Sequence, residues 1–317
     1  MSDAENTAAS DEAVREAGTT ARRVVGNIGE VIVGNEETIE HLVVALLSRS
    51  HVLLEDVPGV GKTMLARAIA TSFECEFKRV QFTPDLLPSD ITGVNVFDQA
   101  SREFEFRPGP IFANVVLADE INRAPPKTQA ALLEAMEEET VTVDGDTRDV
   151  PDPFFVVATQ NSVERDRTYE LPAAELDRFG MKLSLGYPDE REEQEVLGRV
   201  VGDHPIDALD PVATTDELLA ARATTAEVTV SEAVRAYVTR LSRYTREHAQ
   251  LGVSPRGSIA LSRAAQGRAV LEGREYVVPD DVQQEAVPTL THRVRVGRGE
   301  GSARDVVDAA LAEVPVD

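Results

Sequence analysis

Between Val52 and Ala70 the chain strings together three local signals that sharply restrict what it can fold into. Val52-Leu53-Leu54 is apolar on both faces of an extended run. Val57-Pro58-Gly59-Val60-Gly61-Lys62-Thr63 is a glycine-bearing loop closed by a lysine and a hydroxyl, and Met64-Leu65-Ala66-Arg67-Ala68-Ile69-Ala70 is helix-forming. A strand without a polar face has to be covered by helices on both sides, which predicts an α/β layer with parallel strands. The loop suits phosphate. Glycines at 59 and 61 let backbone N–H groups approach phosphate oxygens, with Pro58 and Val60 completing the cradle, and the following helix N-terminus adds partial positive charge. Lys62 is then placed to reach β- and γ-phosphates and the Thr63 hydroxyl to ligate Mg²⁺. Such loops usually begin with glycine; Asp56 stands at that position here, which leaves the local turn open.

An ordinary glycine-rich turn has the same composition, so a second signal is needed. Val115-Val116-Leu117-Ala118 is another all-apolar run, and it ends in Asp119-Glu120. This resembles a Walker B motif: Asp119 would hold Mg²⁺ through water and Glu120 would polarise an attacking water. A third run, Phe154-Phe155-Val156-Val157-Ala158, ends in Thr159-Gln160-Asn161. Asn161 is either a γ-phosphate and water contact or a turn residue. Open parallel sheets bind ligands at the C-terminal ends of their strands, so three polar strand ends predict one crevice. The helix Gln129 to Glu138 leads into Val141-Thr142-Val143-Asp144-Gly145, which reads as a hairpin. After Gly186-Tyr187-Pro188 the pattern becomes helical, with N-caps at Ser231 and Ser254. The expected organisation is a flexible acidic tail over 1–24, an αβα nucleotide-binding core of the P-loop NTPase type over 25–187, and a smaller all-helical lid over 188–317.

With these residues in place the chain resembles the AAA+ ATPases and, within them, the MoxR family. The resemblance rests on Val33-Gly34-Asn35, Leu54 to Thr63, Gln81 to Gly93, Asp119-Glu120-Ile121-Asn122-Arg123-Ala124, Leu176-Asp177-Arg178-Phe179 and Ser254-Pro255-Arg256, in family order from about residue 26 onward. The family commonly has Gln at position 35 and Pro at position 162, where this chain has Asn35 and Ser162. The resemblance implies roles at matching positions. Val33 and Gly34 would line the adenine pocket, Asn161 would be sensor 1, and Arg256 sensor 2, touching the γ-phosphate from the lid. Arg178 would be an arginine finger acting on ATP bound by the neighbouring subunit. It further implies a homo-oligomeric ring, hexameric in form, with the 141–145 hairpin facing its channel, and a partner carrying a von Willebrand factor A domain.

The chain has 317 residues, 56 acidic and 32 basic, and a formal net charge of −24. The acids are dispersed, and only four of the basic residues are lysines (Lys62, Lys78, Lys127 and Lys182). Such a surface resembles the proteins of salt-accumulating halophiles, where ionic strength screens self-repulsion, and the chain is expected to come from a halophilic archaeon. One cysteine, Cys75, excludes an internal disulfide and a cysteine-built metal site. No apolar run is long enough to span a bilayer and the N-terminus is acidic, so a cytoplasmic protein without membrane contact is expected. The first functional expectation is ATP-driven, chaperone-like remodelling of partner proteins. A nucleic-acid motor is the second, disfavoured because the chain has no tryptophan and no basic stripe beyond Arg293 to Arg298. A slow nucleotide-gated binding module is the third, disfavoured by Glu120.

Overall fold

The computed structural model describes residues 9–161, 169–200, 205–297, 299 and 301–316. Residues 1–8, Ser162 and Arg298 lie outside the described residues. The chain begins with helices α1 (Asp11–Gly29) and α2 (Glu36–Leu47), strand β1 (Val52–Asp56), helix α3 (Lys62–Ser72), strand β2 (Phe77–Gln81) and helix α4 (Pro88–Thr92). Strands β3 (Gly93–Asp98), β4 (Glu103–Pro108) and β5 (Val115–Asp119) precede helix α5 (Pro126–Glu138). Strands β6 (Thr140–Val143), β7 (Asp146–Asp149) and β8 (Phe155–Asn161), helix α6 (Ala173–Leu176) and strand β9 (Met181–Leu183) follow. Helices α7 (Glu190–Val200), α8 (Thr215–Glu227), α9 (Glu232–His248), α10 (Pro255–Leu271), α11 (Pro279–Leu290) and α12 (Ala303–Glu313) complete it. No described helix is long and apolar enough to cross a membrane.

Five strands pair in the order β2-β5-β8-β1-β9, all parallel. The three apolar runs of the sequence are its centre. Their side chains alternate between two buried layers: Val52, Leu54, Leu117, Phe155 and Val157 face one, and Leu53, Val116, Ala118, Val156 and Ala158 the other. That is why no polar face could be seen in them. Register sets the site. Asp56 pairs with Asn161, and Ala118 with Ala158 just before Asp119, so three polar strand ends finish at one level. Two antiparallel hairpins, β3–β4 and β6–β7, lie outside this sheet. The second turns through Asp144 (φ 53°) and Gly145 (φ 94°), the positive-φ pair that a two-residue hairpin requires.

The C-terminal helices start where local chemistry allows. The Ser231 side chain accepts from the Val234 N–H and Ser254 from the Gly257 N–H, each satisfying one free helix donor. These helices share a continuous buried cluster with one face of the sheet, in which Leu218, Leu241 and Leu261 join Leu54 and Val157. A largely buried ionic network, open to solvent at Glu40, reinforces the junction. Arg268 on α10 donates to Glu285 of α11 (2.7 Å) and to Glu40 of α2 (2.5 Å), and His41 Nδ1 lies 2.9 Å from Glu285.

The N-terminus differs from expectation. From Asp11 the chain is helix α1 and not a flexible tail, with Ser10 accepting from the Ala13 N–H. Val14, Ala17, Gly18, Ala21, Val24 and Ile28 form a buried stripe against α2, α3, α8 and α10. Mostly small residues make up this stripe, so its sequence signal is weak although its packing is close.

Candidate active site at the C-terminal ends of the strands

The loop after β1 holds Gly59 at φ +88° and Gly61 at φ +97°, conformations that L side chains rarely adopt, and Gly61 caps α3. A Cβ at Gly59 would meet nothing in the protein within 4 Å. Glycine there leaves the backbone open toward the crevice. Lys62 curls over the loop and donates to the carbonyls of Asp56 and Val57, both at 3.1 Å. Burial pulls its ammonium below the usual lysine range, opposed by the charges of Asp56, Asp119 and Glu120.

One polar network joins β2, β5 and β8 beside this loop. Thr159 Oγ1 donates to Asp119 Oδ1 at 2.6 Å and accepts from the Glu120 N–H at 2.8 Å. Arg79 on β2 donates to Asp119 Oδ2 through Nη2 (2.6 Å) and Nε (3.2 Å). Gln81 Nε2 (2.6 Å) and Arg123 Nη1 (2.8 Å) both donate to Glu120 Oε2. Glu120 has left-handed backbone geometry, φ 56° and ψ 50°, a conformation that costs a non-glycine residue about 1 kcal/mol or more. Its side chain lines the same cavity as the loop.

Lys62, Thr63, Asp119, Glu120 and Asn161 line one cavity of about 370 Å³ with Pro58, Gly59 and Gly61. A second cavity of about 270 Å³ shares Gly59, Gly61 and Met64 with the first, and is walled by Ile32, Val33, Val60, Gly186 and Pro188. The first carries two cations, Lys62 and Arg79, and two carboxylates, Asp119 and Glu120; the second is largely apolar. Together they form one crevice, with a charged end at Lys62 and a largely apolar end at Val33. Gly34 (φ +66°) stands behind the apolar wall, where any Cβ would strike the Glu192 carboxylate of α7. The donors at the charged end that could hold a metal are the Thr63 hydroxyl and the Asp119 carboxylate. Oxygen donors of this kind fit Mg²⁺ once phosphate oxygens and water complete its shell.

Arg178 and Arg256 lie elsewhere. Arg178 Nη1 donates to the Leu133 carbonyl at 2.8 Å and pairs with Glu137 Oε2 at 3.1 Å. Arg256 pairs with the other oxygen of the same carboxylate. They surround a separate cavity of about 180 Å³ with Arg49, Arg263 and Arg293. Arg256, expected to touch the γ-phosphate from the lid, is seated within this chain beside Arg178 and outside the crevice around Lys62. The cause is a tether, because Asp177 accepts from Ser254 Oγ and from Arg293 Nε, both at 2.8 Å, fixing the start of α10 to the Asp177–Arg178 turn. Sequence reasoning also missed Arg79, Gln81 and Thr159. Arg79 and Gln81 sit on a strand only partly apolar, and pairing of Gln81 with Asp119 depends on the β2–β5 register.

Comparison with known proteins fits this geometry. The family described as "ATPase family associated with various cellular activities (AAA)" matches residues 51–181, and the AAA lid domain matches 242–313. The chain is 50% identical over 304 residues to the uncharacterised protein YeaC of Bacillus subtilis, covering 93% of this chain and 94% of that one. It is 42% identical over 286 residues to the chaperone MoxR1 of Mycobacterium tuberculosis, covering 87% and 75%. It is 34% identical over 321 residues to the MoxR protein of Paracoccus denitrificans, covering 90% and 93%. A crystal structure of an ATPase candidate from Cytophaga hutchinsonii superposes with a TM-score of 0.89 at 36% identity, over 96% of this chain and 97% of that one. Similarity of this extent, over both the sheet and the C-terminal helices, settles the family: the chain is a MoxR-type AAA+ ATPase, an ATP hydrolase of the P-loop class.

Proposed function

We propose that this ATPase works as a homo-oligomeric ring, hexameric in form, that remodels or matures partner proteins, with each nucleotide bound at a subunit boundary. The observation that carries this reading is the separation of two half-sites. The crevice around Lys62 has the phosphate loop, two carboxylates and Asn161, while Arg178 and Arg256 converge on Glu137 at a different place. An arginine pair held on one carboxylate can exchange that partner for a phosphate, since the guanidinium fork matches both. In this reading the neighbour's Arg178 and Arg256 complete the crevice together. Within one chain, Lys62 and the loop N–H groups hold the β- and γ-phosphates, Glu120 accepts hydrogen bonding from the attacking water, and Asn161 orients that water. Mg²⁺ between Thr63, Asp119 and the phosphates would neutralise charge developing on the leaving group. Adenine lies against Val33 and Val60, backed by Gly34. The β6–β7 hairpin faces the ring channel, and a protein with a von Willebrand factor A domain serves as partner.

ATP turnover tests the reading. E120Q and R178A should each lower turnover by about 10³-fold. An equimolar mixture of the two should recover a measurable fraction, because one interface type then pairs an intact Glu120 with an intact Arg178. No recovery would count against action in trans. Turnover in E120Q equal to wild type would sink the catalytic assignment, and stimulation by DNA at high salt would favour a nucleic-acid motor instead.

A further inference from the structure

Asp56 occupies the position where phosphate loops usually have glycine, and it is not idle there. The residue is 5% exposed. Oδ1 accepts from the Val57 N–H at 3.0 Å. Oδ2 accepts from three successive residues: Ser184 Oγ (3.1 Å), the Leu185 N–H (2.5 Å) and the Gly186 N–H (3.0 Å). A buried carboxylate tolerates desolvation only when its lone pairs are filled in this way.

Where these donors come from gives the contact its meaning. The β1–β9 ladder ends at the pair Leu54–Leu183. Beyond it the Asp56 side chain takes over, binding the next backbone groups of the departing chain. That chain turns at Gly186 (φ +70°) and runs through Pro188 into α7, so Gly186 and Pro188 wall the apolar end of the crevice. On its other side, the Asp56 backbone carbonyl holds Lys62 Nζ. One residue therefore grips the phosphate lysine with its main chain and the base-side wall with its side chain. A glycine could do only the first.

We propose that Asp56 is a positioning residue that fixes the spacing between the phosphate loop and the adenosine wall, and so determines how the nucleoside end of ATP is held. This rests on the nucleotide reading of the crevice. It makes a distinction that a merely stabilising role does not. Loss of the clamp moves the 184–188 wall but leaves the loop glycines, Lys62 and Thr63 in place, so ATP binding weakens while binding of a bare polyphosphate does not.

The test compares Mg-ATP with Mg-tripolyphosphate by calorimetry on the full chain, in wild type, D56G and D56N. For D56G, ATP affinity is expected to fall about 10-fold or more, the value of one lost buried hydrogen-bond set, with tripolyphosphate changed by less than about threefold. D56N keeps the volume and an acceptor oxygen for two of the donors. Its loss should be intermediate, and it remains informative if D56G does not fold. Equal weakening of both ligands, or unchanged ATP affinity in folded D56N, would overturn the proposal. A wild-type chain that binds tripolyphosphate but gains nothing from the adenosine would overturn it too. Binding of neither ligand would instead remove the nucleotide reading beneath it.

Discussion

Thr159 shows how much of this site hangs on single atoms. The residue is 1% exposed, and its hydroxyl serves both neighbours at the β5 end, donating to Asp119 and accepting from the Glu120 N–H. The second bond holds Glu120 in its left-handed conformation. Valine has the same shape without the oxygen, so T159V would leave a buried N–H unpaired at a cost of about 1–3 kcal/mol. Turnover should fall about 10- to 100-fold, because a carboxylate that drifts loses its alignment with the water. Denaturation and steady-state turnover check both; unaltered turnover would mean that Glu120 is held by other contacts. In the sequence, Thr159 is one polar residue at the end of an apolar run. Only pairing of β5 with β8 shows that its hydroxyl meets Asp119 and Glu120.

At the scale of elements, α1 is where propensity and packing disagree. Ser10 caps it and its first turn is acidic, while Gly18 and Gly26 stand inside it as the poorest helix formers after proline. They are not equivalent. A Cβ at Gly26 would meet nothing within 4 Å, whereas one at Gly18 would lie 2.4 Å from the Val270 carbonyl oxygen of α10. G26A should therefore stabilise by about 0.5–1 kcal/mol through helix propensity and reduced unfolded-state entropy. G18A gains the same propensity but must push two helices apart, at a cost of about 1–3 kcal/mol, so the net sign reverses. Chemical denaturation of the two variants decides it. If G18A stabilised as well, α1 would not be seated against α10.

Across the whole molecule the dominant fact is charge. A net charge of −24 with so few lysines sets up self-repulsion that opposes compactness. Screening shortens its reach from about 10 Å at 0.1 M salt to about 3 Å at 1 M. The buried groups His41, Arg268 and Glu285 are shielded from that screening, with only Glu40 at the rim, so salt should strengthen the fold without loosening the junction of α2 with α10 and α11. The expected outcome is a melting temperature that rises by several degrees or more between 0.1 and 2 M KCl. A flat or falling curve would argue against the salt-adapted reading. Assembly of the proposed ring should follow the same trend, since equal acidic surfaces must approach one another.

The sequence by itself determined what depends on local order. Residues 52–70 and the Asp119-Glu120 pair identified a parallel sheet with a phosphate end, because strand, loop and helix start are adjacent in the chain and each is set by short-range sterics and hydrogen bonding. Lys62, Thr63, Asp119, Glu120 and Asn161 were expected at one crevice in this way, and they line one cavity. Tertiary structure alone decided what depends on pairing between distant segments. It folded residues 11–24 into α1 against the helices of the other end, bound Arg79 to Asp119, and held Arg256 beside Arg178 through Asp177. It also gave Asp56, an irregularity in the phosphate-loop pattern, its partners at 184–186. Periodicity and spacing carry no information on which donors a buried carboxylate will meet; strand register does.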